Sequence, residues 1–526
     1  MKKTTSGGNE RTKRARRAAA LLALAALFGA PTAEGGLFAQ DGETAQNAQD
    51  AEEPGVGENS ENGEAEENAE DGETSASPEA EAAVDAYLAG NYDLAYRLMK
   101  TVYDANPDSD PPGLFLALMH SNNERFLDMR RALEQTAEDY PGDPEAFLQL
   151  AGIDVREGRF LEARLLLERA ERLNDEYATR FPDSTRTAYL REETLSVRAL
   201  LAERRGRFDA AAELTQKILD ANPKNAQARW NFGYLAVKRN RLDEAESAFD
   251  ALALLDDRYW PGWLQVATTL DAENRLDEAF ERLQTQTAVL ETASRRERAQ
   301  LARLYLRWGK LEQAAALVGE LEKEEKNDFD GWALRGWVAL YAGGYAVAED
   351  AFRRATFIDG TSFEASNGLA LALLDQRNKE KLAQARGIAA KNYRAYPDSP
   401  DAAATYAWTL FLSGATREAD AIFGPMLESG EFSATVAYYL AEIANLRGDR
   451  SLASTLLDLA LKQKASFPKR AAALELREII SPTTKKESAE LEKSPENAES
   501  AETKEPSESA ETAENAEAAK ASETNK

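Results

Sequence analysis

Residue types that commonly carry catalysis are scarce in this sequence of 526 residues. Cysteine is absent, and His120 is the only histidine. A single imidazole without a thiolate cannot complete a zinc site or form a thiol dyad, and no disulfide is possible. We interpret His120, which precedes Ser121 and Asn122, as a histidine at the solvent-exposed end of a helix. The sequence therefore predicts no metal site and no cofactor.

Two adjacent carboxylate pairs, Glu192-Glu193 and Asp256-Asp257, are the remaining residues that could perform acid–base chemistry. They fall where the helical pattern ends or turns, and acidic residues are ordinary at such places. No glycine-rich phosphate loop follows a strand pattern, and strand patterns are absent. We therefore expect no enzyme; a hydrolase built on one of the carboxylate pairs is the minor alternative.

Small residues recur at a fixed interval and define the elements that would position all other side chains. Around Ala245 the sequence places small residues where two helices must touch and bulky residues such as Phe249 between them. Seven of the ten steps between equivalent positions are 34 residues long, and the others are 48, 35 and 37. The equivalent positions are Ala95, Met129, Ala163, Ala211, Ala245, Ala279, Ala314, Ala348, Ala385, Ala419 and Ala453. Such a period is typical of stacked helical hairpins.

Tryptophans and glycines complete the pattern. Trp263 and Trp332 each stand four residues before a small residue, Ala267 and Gly336 respectively. Glycine suits the left-handed backbone that ends a helix, so we expect the turns within hairpins at glycines. These glycines are Gly90, Gly158, Gly206, Gly309, Gly343, Gly414 and Gly448. The layout resembles the tetratricopeptide repeat, which implies an all-α, right-handed α-solenoid of about eleven helical hairpins over residues 81–480.

Three places depart from the regular repeat, and one hairpin matches it poorly. The step around residues 174–190 contains 14 extra residues, which predicts a longer second helix, a kink near Pro182 and an extended next helix. Residues 378–382 add three more and predict a longer turn within a hairpin. Residues 469–480 are amphipathic and predict a helix that caps the last hairpin. In the second hairpin, Met129 replaces the small residue.

The two ends of the chain differ in composition from the repeats. Residues 1–40 begin with basic residues and continue in an apolar run from Ala18 to Ala30, which predicts an export signal peptide. Residues 41–80 are acidic without any Lys or Arg, and residues 481–526 are rich in glutamate, so we expect both segments to be disordered. The apolar run is too short to span a bilayer comfortably, so the mature chain is predicted to have no transmembrane segment.

The charge of the chain bears on its partners. The net charge is −28, and more than half of it belongs to the two ends. Phosphate binding needs a concentrated basic face, and none is visible in the repeats. The sequence therefore predicts no nucleic-acid partner.

In the family that the sequence resembles, the first helices of successive hairpins line a concave groove that receives peptides or protein segments. The resemblance implies that rigid aromatic side chains and charged neighbours in this groove bind the partner. By position, these residues are Trp230, Tyr234, Lys238, Arg303, Trp337, Tyr341, Trp408, Phe411 and Tyr438. Trp263 and Trp332 are expected to pack between hairpins instead. Trp230, Leu264 and Ala299 occupy places where a chaperone-type carboxylate clamp needs lysine or asparagine, so that clamp is not expected.

These observations predict a non-catalytic scaffold or adaptor that holds a protein or peptide partner in its groove. The predicted export signal places it in the periplasm or the cell envelope. The alternative is a regulatory or docking subunit of an envelope enzyme or of a polysaccharide-export complex.

Overall fold

The structure is a computed structural model that describes residues 77–106, 109–325, 328–430 and 433–491. The predicted signal peptide, residues 41–76 of the predicted acidic segment and residues 492–526 of the predicted C-terminal tail lie outside the described residues. The described residues divide into two compact units, of which the first ends at Leu304 and the second begins at Tyr305.

Every regular element in the described residues is an α-helix, which confirms the predicted fold class. The helices of the first unit are α1 (Pro78–Leu88), α2 (Tyr92–Ala105), α3 (Pro112–Ser121), α4 (Phe126–Asp139), α5 (Glu145–Arg156), α6 (Phe160–Arg180), α7 (Thr185–Arg204), α8 (Phe208–Ala221), α9 (Ala226–Lys238), α10 (Leu242–Ala253), α11 (Gly262–Ala272), α12 (Leu276–Gln284), α13 (Thr287–Thr292) and most of α14 (Arg295–Arg307). Those of the second unit are α15 (Leu311–Glu324), α16 (Phe329–Tyr341), α17 (Tyr345–Ile358), α18 (Phe363–Leu374), α19 (Lys379–Ala395), α20 (Pro400–Leu412), α21 (Thr416–Ser429), α22 (Ala434–Leu446), α23 (Arg450–Lys462) and α24 (Arg470–Leu491). Within the described ranges, α1 to α12 and α14 to α23 follow one another as eleven helix pairs joined by short turns.

Polar side chains fix the start of several first helices. The Asn225 side chain accepts a hydrogen bond from the Ala228 N–H at 2.8 Å, and the Asp328 side chain accepts one from the Gly331 N–H at 2.8 Å. The first N–H groups of a helix have no partner within the helix, so each such cap typically contributes about 1 kcal/mol.

Small residues let neighbouring helices approach closely, as the 34-residue pattern predicts. Ala245 and its alanine equivalents on the other second helices are fully buried, and Met129 in the second hairpin is 8% exposed. In the second unit the Phe352 ring lies between Gly336 and Gly368, where an added Cβ would come within 2.6 Å and 2.5 Å of the ring. Glycine is therefore needed at these two positions for close packing rather than for a turn.

The turns within hairpins follow the glycine prediction and extend it. All seven predicted glycines have a left-handed backbone, with φ between 71° and 85°. In four other hairpins Glu124, Asn240, Asn274 and Arg377 take the same conformation, with φ between 50° and 59°. The turn is therefore a property of the hairpin, and glycine only makes it easier to form.

The 14 extra residues lengthen two helices, as predicted. Helix α6 has 21 residues and α7 has 20, with a break at residues 181–184. From the start of α7, the Arg186 guanidinium reaches back to Asp110, Asp143 and Glu145 at N–O distances of 2.7, 2.7 and 3.1 Å. These four residues form the Arg186 cluster. Burial raises the pKa of Asp110 and Glu145, while the Arg186 guanidinium opposes that rise.

The C-terminal irregularities resolve into helix. The three extra residues near position 380 mostly lengthen α19, which has 17 residues, and the preceding turn spans only residues 375–378. Helix α24 packs on α23 and buries Ala473, Leu476 and Ile480. It continues to Leu491, eleven residues into the segment that we expected to be disordered.

In the described part of the chain, no helix combines the length and the apolar character needed to cross a bilayer.

Candidate partner-binding surface

The nine predicted groove residues fall in both units, and the structure gives them different environments. Trp230, Tyr234 and Lys238 lie along one face of α9, and Arg303 is half-buried on α14. The remaining five residues, which belong to the second unit, are Trp337, Tyr341, Trp408, Phe411 and Tyr438.

The face of α9 carries two aromatic rings and a cation at helical spacing. Trp230 and Tyr234 are stacked, with ring centroids 5.5 Å apart and planes 9° from parallel. The Lys238 Nζ lies 5.6 Å from the ring centroids of both Tyr234 and Phe208. All three predicted residues of this face are half-buried, so part of each side chain is accessible. We call Trp230, Tyr234 and Lys238 the α9 face.

Acidic residues complete the electrostatics of the α9 face. The Lys238 ammonium pairs with the Glu273 carboxylate, and the Tyr234 hydroxyl donates a hydrogen bond to the same carboxylate at 3.1 Å. Burial, followed by the charges of Glu273 and Glu203, raises the pKa of Tyr234. Burial also raises the pKa of Glu203, and the nearby cations Arg204 and Lys238 oppose that rise. The hydroxyl therefore stays protonated at neutral pH and acts as a donor.

Trp337 in the second unit is half-buried and held in place by a hydrogen bond. Its indole Nε1 donates to the Glu364 Oε1 at 2.8 Å, and its ring meets the Phe352 ring edge to face with centroids 5.3 Å apart. Because its orientation is fixed from both sides, Trp337 presents one defined aromatic surface.

Trp408 and Tyr438 are buried, so our expectation of exposed groove aromatics was wrong for these two residues. They are 8% and 6% exposed. Trp408 stacks on Phe411 and Tyr439, with centroids 6.0 and 5.6 Å apart. The Tyr438 hydroxyl donates a hydrogen bond to the Glu442 carboxylate. The reason is that large rings on neighbouring first helices fill the space between those helices and exclude water. Phe411 itself remains half-buried.

Tyr341 and Tyr438 share a contact that the sequence did not predict. Both meet the loop between α23 and α24, residues 463–469, which we call the C-terminal loop. The Tyr341 hydroxyl donates to the Ser466 carbonyl at 3.2 Å, and the Phe467 ring lies 6.5 Å from the Tyr438 ring. Two of the five predicted groove residues of the second unit are therefore in contact with a segment of the same chain.

Sequence reasoning missed the charged anchor of this loop. The Lys469 Nζ lies 2.6 Å from the Asp375 carboxylate and 3.2 Å from the Tyr345 hydroxyl. Asp375 ends α18 and Tyr345 begins α17, so neither belongs to the repeating positions that marked the groove. The only available signal was an aromatic and a lysine, Phe467 and Lys469, in a connection that the period does not explain.

One member of each carboxylate pair considered for catalysis is held by a neighbouring side chain. Glu192 accepts a hydrogen bond from the Asn225 side chain at 2.6 Å, and Glu193 is 9% exposed. Asp256 accepts from Arg258 within an exposed turn. Within the residues that the structure describes, no group of three or more His, Asp or Glu side chains could hold a metal ion.

His120 is buried, so its interpretation as a solvent-exposed histidine was wrong. It is 6% exposed, and the Tyr87 hydroxyl lies 2.8 Å from its Nδ1. Its ring meets the rings of Tyr87 and Tyr92 edge to face. Burial, helped by the nearby Arg125 charge, lowers the pKa of His120, so the ring is neutral and structural. A hydrogen bond from a residue 33 positions away closes the first hairpin against the second.

Comparison with known families identifies the repeats directly. Residues 202–268 and residues 334–400 each match the tetratricopeptide repeat family. The first match includes the α9 face, and the second includes Trp337 and Tyr341.

Individual relatives are distant. The chain is 25% identical over 189 residues to cellulose synthase operon protein C of Pseudomonas fluorescens (strain SBW25), a match that covers 36% of this chain and 14% of that protein. Among solved structures, a tetratricopeptide repeat protein of Parabacteroides merdae is 17% identical, with 55% of this chain and 98% of that chain covered and a TM-score of 0.32. A thermophilic tetratricopeptide repeat protein of Thermus thermophilus is 22% identical, with 42% and 99% covered and a TM-score of 0.22.

Proposed function

Because the chain is a multi-repeat tetratricopeptide repeat protein, we propose that it is a non-catalytic scaffold that binds a protein or peptide partner on the first helices of its hairpins. The observation that carries this proposal is the α9 face, where the stacked rings of Trp230 and Tyr234 stand next to the Lys238–Glu273 ion pair. Rigid, half-buried aromatic rings bury much area on binding at a small cost in side-chain entropy.

The charges of the α9 face favour a partner segment with both polar and aromatic character. Lys238 is already paired with Glu273, so a partner carboxylate would have to share the ammonium rather than neutralise a free charge. The stacked rings offer an apolar surface beside that ion pair. We therefore propose that an aromatic or long aliphatic side chain of the partner covers the rings, while its backbone bonds to the polar rim.

We also propose that the chain is exported and works in the periplasm or the cell envelope. The support is the basic start and the apolar run of residues 18–30. N-terminal sequencing of the mature protein from fractionated cells tests this part. A chain that keeps Met1 and stays in the cytoplasm would contradict export.

The scaffold proposal is tested with a double variant, Trp230→Ala with Tyr234→Ala, expressed at native level in the source cells. Crosslinking followed by identification of the captured proteins should show that at least one partner is lost or strongly reduced. The matched control is Trp260→Ala. Trp260 belongs to the same unit but lies in the loop before α11, where its ring packs against the Arg296 guanidinium of α14. If the double variant captures the same proteins at the same yield as the control, the α9 face is not the binding surface.

A second candidate function has one observation in its favour. The 25% identity to cellulose synthase operon protein C supports a docking or regulatory subunit of an envelope polysaccharide complex. Under this proposal the protein identified in the crosslinking experiment is a polysaccharide synthase or exporter component. Deletion of the chain should then reduce the amount of exported polysaccharide without changing the level of that component.

A further inference from the structure

The C-terminal loop is bound in the second unit in the way that an extended peptide ligand would be. The Ser466 N–H donates to the carbonyl of Arg307 at the end of α14, and the Ser466 carbonyl accepts from the Tyr341 hydroxyl at the end of α16. The backbone N–H and C=O of this one loop residue are thus both satisfied by residues more than 120 positions earlier in the chain. Main-chain hydrogen bonds of this kind are how repeat and sheet proteins commonly hold extended segments.

The side chains of the loop are recognised separately from its backbone. Phe467 is 5% exposed and belongs to the continuous core of the second unit, next to Tyr438. Two residues later the Lys469 ammonium meets the Asp375 carboxylate and lies over the Tyr345 ring, 4.6 Å from its centroid. An aromatic socket and an acidic site therefore stand at the spacing of an aromatic-x-Lys sequence.

The contacts that hold the loop are few and come from several helices. They involve the ends of α14, α16 and α18, the start of α17 and the middle of α22, each with one or two contacts. At the base of the loop, the Arg470 guanidinium donates to the carbonyls of Gln463 and Leu461 at 3.1 and 3.3 Å. These two local bonds involve none of the residues that hold the loop in the second unit, so they do not have to break when the loop leaves.

We propose that the second unit contains a binding site for an extended aromatic-x-Lys peptide, formed by Arg307, Tyr341, Tyr345, Asp375 and Tyr438, and that the C-terminal loop occupies this site as an internal competitor. The proposal rests on the proposed scaffold function and specifies the class of partner that the second unit takes. A partner peptide with the same chemistry displaces the loop and gains the site.

A synthetic peptide of residues 463–470, Gln-Lys-Ala-Ser-Phe-Pro-Lys-Arg, labelled with fluorescein at its N-terminus, tests the proposal. It is titrated into the full chain and followed by fluorescence anisotropy. The tethered loop competes at high effective concentration in the native chain, so native binding should be weak. In the Phe467→Ala, Lys469→Ala chain the site is vacated, and the peptide should bind about 10- to 100-fold more tightly.

Two further variants test whether the increase in peptide affinity comes from the proposed site. Asp375→Asn added to the double variant should abolish the gain, because the peptide lysine then loses its carboxylate. Lys464→Ala is the matched control, because Lys464 is an exposed lysine in the same loop, and it should leave peptide binding at the native level. A folded double variant that binds no more tightly than the native chain overturns the proposal. A Lys464→Ala chain that gains as much as the double variant overturns it as well.

A charge exchange keeps the proposal testable if the double variant fails to fold. Lys469→Asp alone should release the loop and raise peptide binding, whereas Asp375→Lys combined with Lys469→Asp should restore the internal contact and reject the native peptide. If both chains bind the peptide equally, the Lys469–Asp375 pair does not govern the site and the proposal fails. The scaffold proposal is judged separately, because its test changes the α9 face in the first unit and reads out cellular partners.

Discussion

The Arg186 cluster of the first unit and the C-terminal loop of the second unit both reach beyond the neighbouring hairpin, to Asp110 and to Tyr341 respectively, and they differ in chemistry. The Arg186 side chain is 9% exposed, and its guanidinium forms ion pairs with three carboxylates. The C-terminal loop is held by two backbone hydrogen bonds, one buried ring and one ion pair. One contact is a buried charge network on a helix, and the other is a short segment in a groove.

The difference shows which contact can open without unfolding. Removing Arg186 from its carboxylates leaves several buried acids without a partner, which costs far more than the pair contributes when intact. The C-terminal loop can be replaced by another peptide of the same chemistry, which restores each of its bonds. We therefore regard the Arg186 cluster as structural and the C-terminal loop as exchangeable.

The largest expected effect is at the Arg186 cluster. Arg186→Met should destabilise the first unit by about 3–5 kcal/mol, because Asp110, Asp143 and Glu145 lose their shared cation. Urea unfolding and amide hydrogen exchange of α3 to α7 measure this. Arg131→Met, at a side chain that is 77% exposed, is the control and should change stability by less than about 0.5 kcal/mol. Equal effects of the two substitutions would show that the cluster is not structural.

A smaller effect is expected at the C-terminal loop. Phe467→Ala should cost the second unit about 3 kcal/mol, the low end of the range for a buried phenylalanine, because the short loop can move into the space that the ring leaves. Hydrogen exchange should accelerate in residues 463–470 and α23 while α5 to α7 keep their protection. Global unfolding of the second unit at the same rate as the loop opens would contradict an exchangeable loop.

The third prediction is a pH dependence of stability that should appear in the first unit and not in the second. Burial raises the pKa of Glu193 on α7 from 4.5 to about 8, against the opposing charge of Arg156. Because the folded pKa is raised, the stability that this carboxyl contributes is fully present below pH 4.5 and is lost as the pH rises through about 8. Glu193→Gln should remove this loss and stabilise the first unit at pH 8 by roughly 1–3 kcal/mol.

Chemical unfolding of the native chain and of the Glu193→Gln variant at several pH values between 4.5 and 8 measures how the free energy of unfolding of each changes with pH. The second unit serves as the internal control, since its hydrogen exchange should be the same in both proteins. A Glu193→Gln variant that is less stable than the native chain at pH 8 would show that the carboxylate is needed in its charged form.

The smallest effect is expected from glycine substitutions in hairpin turns, and it should be equal in the two units. Glu124 and Arg377 have left-handed backbones, with φ of 58° and 50°, in hairpin turns where other hairpins carry glycine. Glu124→Gly and Arg377→Gly should each stabilise their unit by about 1 kcal/mol, because glycine has no steric penalty there. Thermal unfolding measures both. Gly343→Ala, the reverse change at φ 75°, should destabilise by a similar amount.

The fold was predictable because the residues that specify it contact each other within one hairpin or between successive hairpins. Alanine at position 245 and its equivalents, and glycine at turns such as Gly343, mark contacts between helices that follow one another in the chain. The extended α6 and α7 were predictable from the length of the insertion alone. Of the candidate site, the sequence located the first-helix aromatics. It could not separate the half-buried Trp337 from the buried Trp408, because each stands 11 residues before the marker alanine of its hairpin.

By itself, the sequence determined the helical hairpins, their number and the residues that join each hairpin to the next. It could do so because those contacts recur every 34 residues and depend on side-chain size. Only the tertiary structure decided that Arg186 reaches Asp110 and that Lys469 reaches Asp375. Contacts of this kind depend on the small rotation that accumulates from one hairpin to the next, and no single repeat encodes that rotation.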